Sequence, residues 1–251
     1  MSTLRKNFAI ALVIAMSGTM AHAEPKQAKD IVIVHGALVD GSGWRAVYDI
    51  LSKDGFHVTI VQEPLTGLAE DIEATKRVID QQEGPVVLVG HSYGGSVITD
   101  AGADPKVSAL VYVAALQPDA GEASGQLLSK FAAPNDAMRA TPEKFFYIPA
   151  AKFPKTYAAD VSPSDAQFMA DSQQQLAEKA LGAAVSVAAW RTKPSYAILT
   201  TQDHVVSPQL QRWMYQRSGA KVTEVSASHA VFVSQPAAVA RVIEAAAKQA
   251  D

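Results

Sequence analysis

The chain of 251 residues contains no cysteine. That absence excludes disulfide staples, cysteine nucleophiles and thiolate metal sites. Stability must then come from the hydrophobic core, which a chain of this length can supply. Charge is sparse at 19% of residues, and apolar residues reach 48%. Those values suit one folded α/β domain, and they exclude a disordered chain. No like-charge run, low-complexity tract or internal repeat interrupts the sequence. The one long apolar run, Phe8 to about Met16, is broken by Ser17, Gly18 and Thr19, too soon for a good membrane span.

That run belongs to an N-terminal pattern of export. Arg5 and Lys6 form a positive start, the apolar stretch follows, and Ala21-His22-Ala23 is a small-x-small cleavage site. Residues 1–23 therefore read as a secretory signal peptide, with 24–251 as the mature domain and periplasmic or secreted localisation expected. The alternative is an uncleaved membrane anchor. Removing the signal takes two of the 22 Lys and Arg and none of the 25 Asp and Glu, leaving 20 against 25, a charge of −5. That balance argues against nucleic acid or an anionic membrane surface as partner.

Along the mature chain, short apolar runs alternate with helical spacing. Ile31 to Val34, His57 to Val61, Pro85 to Gly90, Val107 to Ala115, Pro194 to Thr200 and Lys221 to Val225 read as strands. Trp44 to Leu51, Asp71 to Gln82, Ser92 to about Gly102, Pro208 to Ser218 and Gln235 to Lys248 read as helices. Continuously apolar strands alternating with helices predict a mostly parallel six-stranded sheet covered on both faces. The stretch from about 117 to 182 departs from this rhythm. It is too long for a crossover loop and holds Phe131, Phe145, Phe146, Tyr147, Phe153, Tyr157 and Phe168. It reads as an inserted, partly helical lid whose aromatics either line a pocket or pack the lid onto the body.

The chemistry concentrates in a few residues. Gly90-His91-Ser92-Tyr93-Gly94 matches G-x-S-x-G between a buried strand and a helix. Such a turn lifts the serine hydroxyl above the strand ends and sets the next amide, that of Tyr93, at a helix N-terminus. A serine needs a base. Of six histidines, His229 alone follows the last strand, facing Ser92. His35 and His91 read as loop supports and His57 as an edge residue. The base needs an acid. Asp203, after the Pro194 to Thr200 strand, is the candidate, and Asp119, after the preceding strand, is its rival. The loop after the first strand should give a second oxyanion amide, from Ala37 or alternatively Leu38.

With Val34-His35-Gly36-Ala37, Gly90-His91-Ser92-Tyr93-Gly94-Gly95, Asp203 and Ser228-His229-Ala230-Val231-Phe232, the chain resembles the α/β-hydrolase superfamily. It is most similar to small bacterial and plant esterases of the type that includes methyl-ester esterases and hydroxynitrile lyases. The resemblance implies a lid after the fourth strand, no metal and no cofactor. It implies cleavage of small to medium apolar carboxylic esters through an acyl-enzyme. Hydroxynitrile lyases carry a lysine directly after the catalytic histidine, where this chain has Ala230. A perhydrolase or haloperoxidase side activity on the same triad stays open. So does a non-catalytic small-molecule binding role, the alternative of another class.

Overall fold

A computed structural model describes residues 28–131 and 136–249. The signal-peptide reading of 1–23 lies outside them. Strand β1 (Asp30–Val34) is buried along its whole length and pairs in parallel with β2 (His57–Val61) on one side and β3 (Val86–His91) on the other. β4 is Val107–Val113. Between β4 and β8 (Ser195–Thr200) lies the insertion, and β9 (Lys221–Val225) closes the set. The order β2-β1-β3-β4-β8-β9 is parallel throughout.

Because strand side chains alternate in direction, each apolar run feeds two cores. Ile31, Ile33, Val87 and Val89 face α1 (Arg45–Lys53) and α10 (Pro236–Lys248). Val32, Val34, Val86 and Leu88 face α2 (Leu68–Asp80), α3 (Gly94–Ala101) and α8 (Pro208–Ser218). Each fully buried Val, Leu or Ile contributes about 1.5–3 kcal/mol, so a sheet covered on both faces needs no staple. Among the described residues, no helix is long and apolar enough to cross a membrane.

The insertion contains α4 (Ser124–Lys130), α5 (Phe153–Tyr157), α6 (Pro163–Asp171) and α7 (Glu178–Gly182). It also forms a small antiparallel sheet of β5 (Arg139–Ala140), β6 (Phe145–Tyr147) and β7 (Leu176–Ala177). Two- and three-residue strands leave no alternation to read, so the sequence pattern does not announce them. Its aromatics divide. Phe153 and Tyr157 are buried, whereas Phe168 is 64% exposed.

One strand end and one helix start differ from expectation for one reason. The fourth strand stops at Val113 because Ala114 turns at φ 47°. The helix after β3 starts at Gly94 because Ser92, at φ 52°, cannot be helical. The chain also adds α9 (Val231–Ser234) directly after His229. From β1 the chain runs first to β2 and then back across to β3. The loops after β1 and β3 therefore meet at the carboxyl ends of adjacent strands, where doubly wound sheets form their crevice.

Candidate active site

Ser92 leaves β3 in the left-handed region, a conformation that costs about 1–3 kcal/mol for a non-glycine residue. Its flanking glycines are sterically required. A Cβ on Gly90 would stand 2.6 Å from the Gly94 carbonyl oxygen, and one on Gly94 would stand 2.5 Å from that of His35. A side chain at Gly90 would push the strand off the following helix, and one at Gly94 would force the elbow away from the first loop.

At this turn the Ser92 hydroxyl lies 2.8 Å from His229 Nε2, and His229 Nδ1 lies 2.8 Å from Asp203 Oδ2. All three residues are buried. A carboxylate only accepts hydrogen bonds, so Nδ1 carries the proton and Nε2 is left to accept from Ser92. Asp203 is itself tightly held. Its Oδ1 accepts from the Val205 and Val206 amides at 2.8 and 2.9 Å. Its Oδ2 accepts from the Thr200 hydroxyl at 2.8 Å and from Gln211 Nε2 at 3.0 Å. The rival, Asp119, is elsewhere engaged. It accepts from Arg191 Nε at 2.8 Å, and that guanidinium holds its carboxyl below the usual range.

Two backbone amides of residues that line the Ser92 pocket are left free to donate. Neither the Ala37 nor the Tyr93 N–H has a hydrogen-bond partner among the described residues, whereas the Leu38 N–H donates to the Gln174 carbonyl at 3.0 Å. Leu38, the alternative donor, is thus already used. The Tyr93 amide also precedes α3, where helix dipoles favour a developing anion.

The histidines near the site divide by their partners. His35 Nε2 accepts from the Glu63 amide at 3.0 Å, so its Nδ1–H donates to the Gly36 carbonyl at 2.9 Å. That carbonyl and the Ala37 N–H belong to one trans peptide and point in opposite directions. His35 thereby aims the Ala37 N–H outward. His91 Nε2 donates to the His229 carbonyl at 3.0 Å. Burial pushes the pKa of both below the ordinary histidine value, so they act as neutral struts. His57, on edge strand β2, meets Asp30 Oδ1 at 3.0 Å and is exposed.

The cavity beside Ser92 measures only about 30 Å³, room for roughly a water or two. Its walls are mostly aliphatic: Leu116, Leu128, Leu176 and Leu181, with Met138 and Phe146. Of the seven aromatics in the insertion, only Phe146 and Tyr157 line it. A wider groove of about 320 Å³, bounded by Val39, Ala46, Phe168, Met169 and Val233, includes none of Ser92, Asp203 and His229.

Sequence reasoning missed several residues here. Gln211 sits among the buried positions of α8 with Leu210, Met214 and Tyr215, and a polar residue on that face was the available signal. Tyr93 O–H donates to Asp71 Oδ2 at 2.8 Å, and Asp71 Oδ1 accepts from the Leu65 amide at 2.8 Å. No local pattern marks Asp71, Glu63 or Gln174.

Comparison with known proteins agrees with this architecture. A sequence model of the alpha/beta hydrolase family matches residues 31–242. Methylesterase 8 of Arabidopsis thaliana is 27% identical over 237 residues, covering 83% of this chain and 84% of the plant protein. A carbendazim hydrolyzing esterase of Nocardioides sp. (strain SG-4G) is 35% identical over 116 residues, 40% of this chain and 48% of that one. A pyrethroid hydrolase from Sphingobium faniae JZ-2 has the same fold, with a TM-score of 0.75 at 20% identity, covering 88% of this chain and 98% of its own.

Proposed function

The chain belongs to the alpha/beta hydrolase family, of its esterase type, and from that premise we propose that it is a serine hydrolase of small to medium apolar carboxylic esters. The observation that carries the reading is the Ser92–His229–Asp203 chain of 2.8 Å hydrogen bonds beside two unpartnered amides. In this mechanism His229 takes the Ser92 proton as the hydroxyl attacks the ester carbonyl. The Ala37 and Tyr93 N–H groups hold the oxyanion, each such donor contributing about 3–4 kcal/mol. His229 then protonates the leaving alcohol. Water, deprotonated by His229, attacks the acyl-enzyme and releases the acid.

The pocket's chemistry supports an apolar acyl or alcohol group. Its lining contains no charged side chain, so nothing there would neutralise an ionised substrate. The cavity is small enough that Met138 and Phe146 must swing aside for an ester, which fits the insertion to the role of lid. The name of the plant relative directs the first substrate choice to methyl esters. Export through the N-terminal signal is part of the same proposal. Ala230 in place of a lysine after the base weighs against lyase chemistry.

The test is covalent labelling with a serine-directed fluorophosphonate, read by intact mass and peptide mapping. Stoichiometric labelling of Ser92, absent in His229→Ala and accompanied by hydrolysis of methyl or p-nitrophenyl esters, is the expected result. A folded protein that neither labels nor hydrolyses any ester would overturn the reading and leave a binding protein of the same fold.

A further inference from the structure

We propose that Tyr157, supplied by the insertion, is a positioning residue that holds the base and the oxyanion loop in fixed relation to each other. This rests on the hydrolase reading above. Tyr157 ends α5 and touches the candidate machinery with each of its three parts. Its hydroxyl donates to the Ala37 carbonyl at 3.0 Å, across 120 positions of sequence. Its ring stands edge-on to the His229 ring, with centroids 4.7 Å apart at 87°. Its backbone carbonyl accepts from the Ala230 N–H at 3.0 Å and from the Ser228 hydroxyl at 3.3 Å. Those two residues flank the base on either side.

The consequence follows from peptide geometry. The Ala37 carbonyl and the Leu38 N–H form one planar unit. Tyr157 holds its oxygen and Gln174 holds its nitrogen, and both come from the insertion. The preceding unit, which bears the free Ala37 N–H, is held by His35. With both planes held, the direction of the Ala37 N–H is fixed, and on the hydrolase reading it serves the carbonyl that Ser92 attacks. The hydroxyl has no competing use. Burial raises the phenol's pKa well above its ordinary value, so it stays a donor at every working pH. Phe153 stacks on the ring, 4.8 Å away at 15°, which restricts its rotation. The Ser228 hydroxyl has one proton, shared between the Tyr157 carbonyl and Asp160, with the closer Asp160 carboxylate taking the larger part, so both contacts make one tie between this segment and the base loop. A side chain that merely walled the pocket would need none of these polar contacts.

Tyr157→Phe removes one hydroxyl and preserves the ring. It should lower kcat about tenfold, the value of one hydrogen bond expressed in the transition state, with KM within about twofold. The rate of fluorophosphonate labelling should fall by the same factor, because both reactions use the oxyanion amides. Ser228→Ala, which removes the side-chain tie from the base loop to Asp160 and the Tyr157 carbonyl together, should show the same signature at about two- to threefold. A higher KM with unchanged kcat would assign Tyr157 to the pocket wall. A lower melting temperature with normal kcat per labelled site would assign it to stability. Either result overturns the proposal. A wild-type protein that does not label at Ser92 would sink the hydrolase reading itself, so the two failures are distinguishable.

Discussion

Two carboxyl groups that follow strands of the main sheet, Asp203 after β8 and Glu63 after β2, are equally buried, each residue 2% exposed, and the protein treats them in opposite ways. Asp203 accepts five hydrogen bonds, from two amides, a hydroxyl, a carboxamide and His229. Neither oxygen of the Glu63 side chain has a partner among the described residues. The nearest cationic candidate, His35 Nδ1, lies 3.9 Å from Glu63 Oε2 but spends its proton on the Gly36 carbonyl. Burial, and then the charge of Asp71, raises the pKa of Glu63 well above the ordinary value. Depth alone therefore does not decide how a carboxyl group is held. The donors around it do, and in this fold they gather at the end of β8 rather than at the end of β2.

The comparison predicts its own largest test. Asp203→Asn replaces an acceptor-only group by one that also donates, so His229 loses the tautomer in which Nε2 accepts from Ser92. Turnover of a p-nitrophenyl ester should fall about 10⁴-fold. Glu63→Gln leaves every donor to Asp203 and His229 in place, and kcat at pH 7 should stay within about threefold. Equal losses in the two variants would erase the distinction.

How far the sequence foretells this arrangement depends on the range of the contacts. Ser92 and its glycines are legible because strain and close approach are local. His229 and Asp203 are legible because each follows a strand whose apolar run is plain, and their order along the chain fits the fold. Asp203 meets His229 in the structure, whereas Asp119 pairs with Arg191, 72 positions away, a contact that the sequence does not mark. Tyr157 reaches across 120 positions to Ala37, and Gln174 across 111 to the Glu63 carbonyl. No periodicity or motif encodes contacts of that range. The insertion was the hardest segment for the same reason. Its aromatics suggest an aromatic pocket, yet Phe168 faces solvent and leucine is the commonest residue lining the cavity.

Asp71 lies between the two extremes. It is buried, but two donors, Tyr93 and the Leu65 amide, reach it. Its pKa is raised by burial, and those hydrogen bonds act against the rise. Tyr93→Phe removes one donor and leaves a carboxyl oxygen unsatisfied. The expected cost is about 1–3 kcal/mol of stability by urea unfolding. The backbone amide of Tyr93 is untouched by the change, so turnover should fall less than in Tyr157→Phe. A larger loss of kcat than of stability would place Asp71 with Asp203, as a group that orders the reaction.

The smallest effect is the most direct measure of Glu63's state. Its folded pKa stands above the unfolded value, so the folded protein binds the extra proton over the interval between them. Stability must then fall as pH rises through that interval, because the unfolded chain releases the proton more easily. Below the ordinary carboxyl range the penalty is absent. His35 and His91, shifted the other way by burial, act on the acid side instead: their contribution is present above the ordinary histidine value and is lost as pH falls below it. Glu63→Gln removes only the first of these slopes. Melting temperatures of wild type and variant, followed from pH 4.5 to pH 8.5, should diverge in the variant's favour as pH rises, by a few degrees. The divergence should not depend on where both curves begin, since an unpartnered amide has its own constant cost. Parallel curves would mean that Glu63 gains no proton on folding, and the contrast with Asp203 would then be one of position and not of charge.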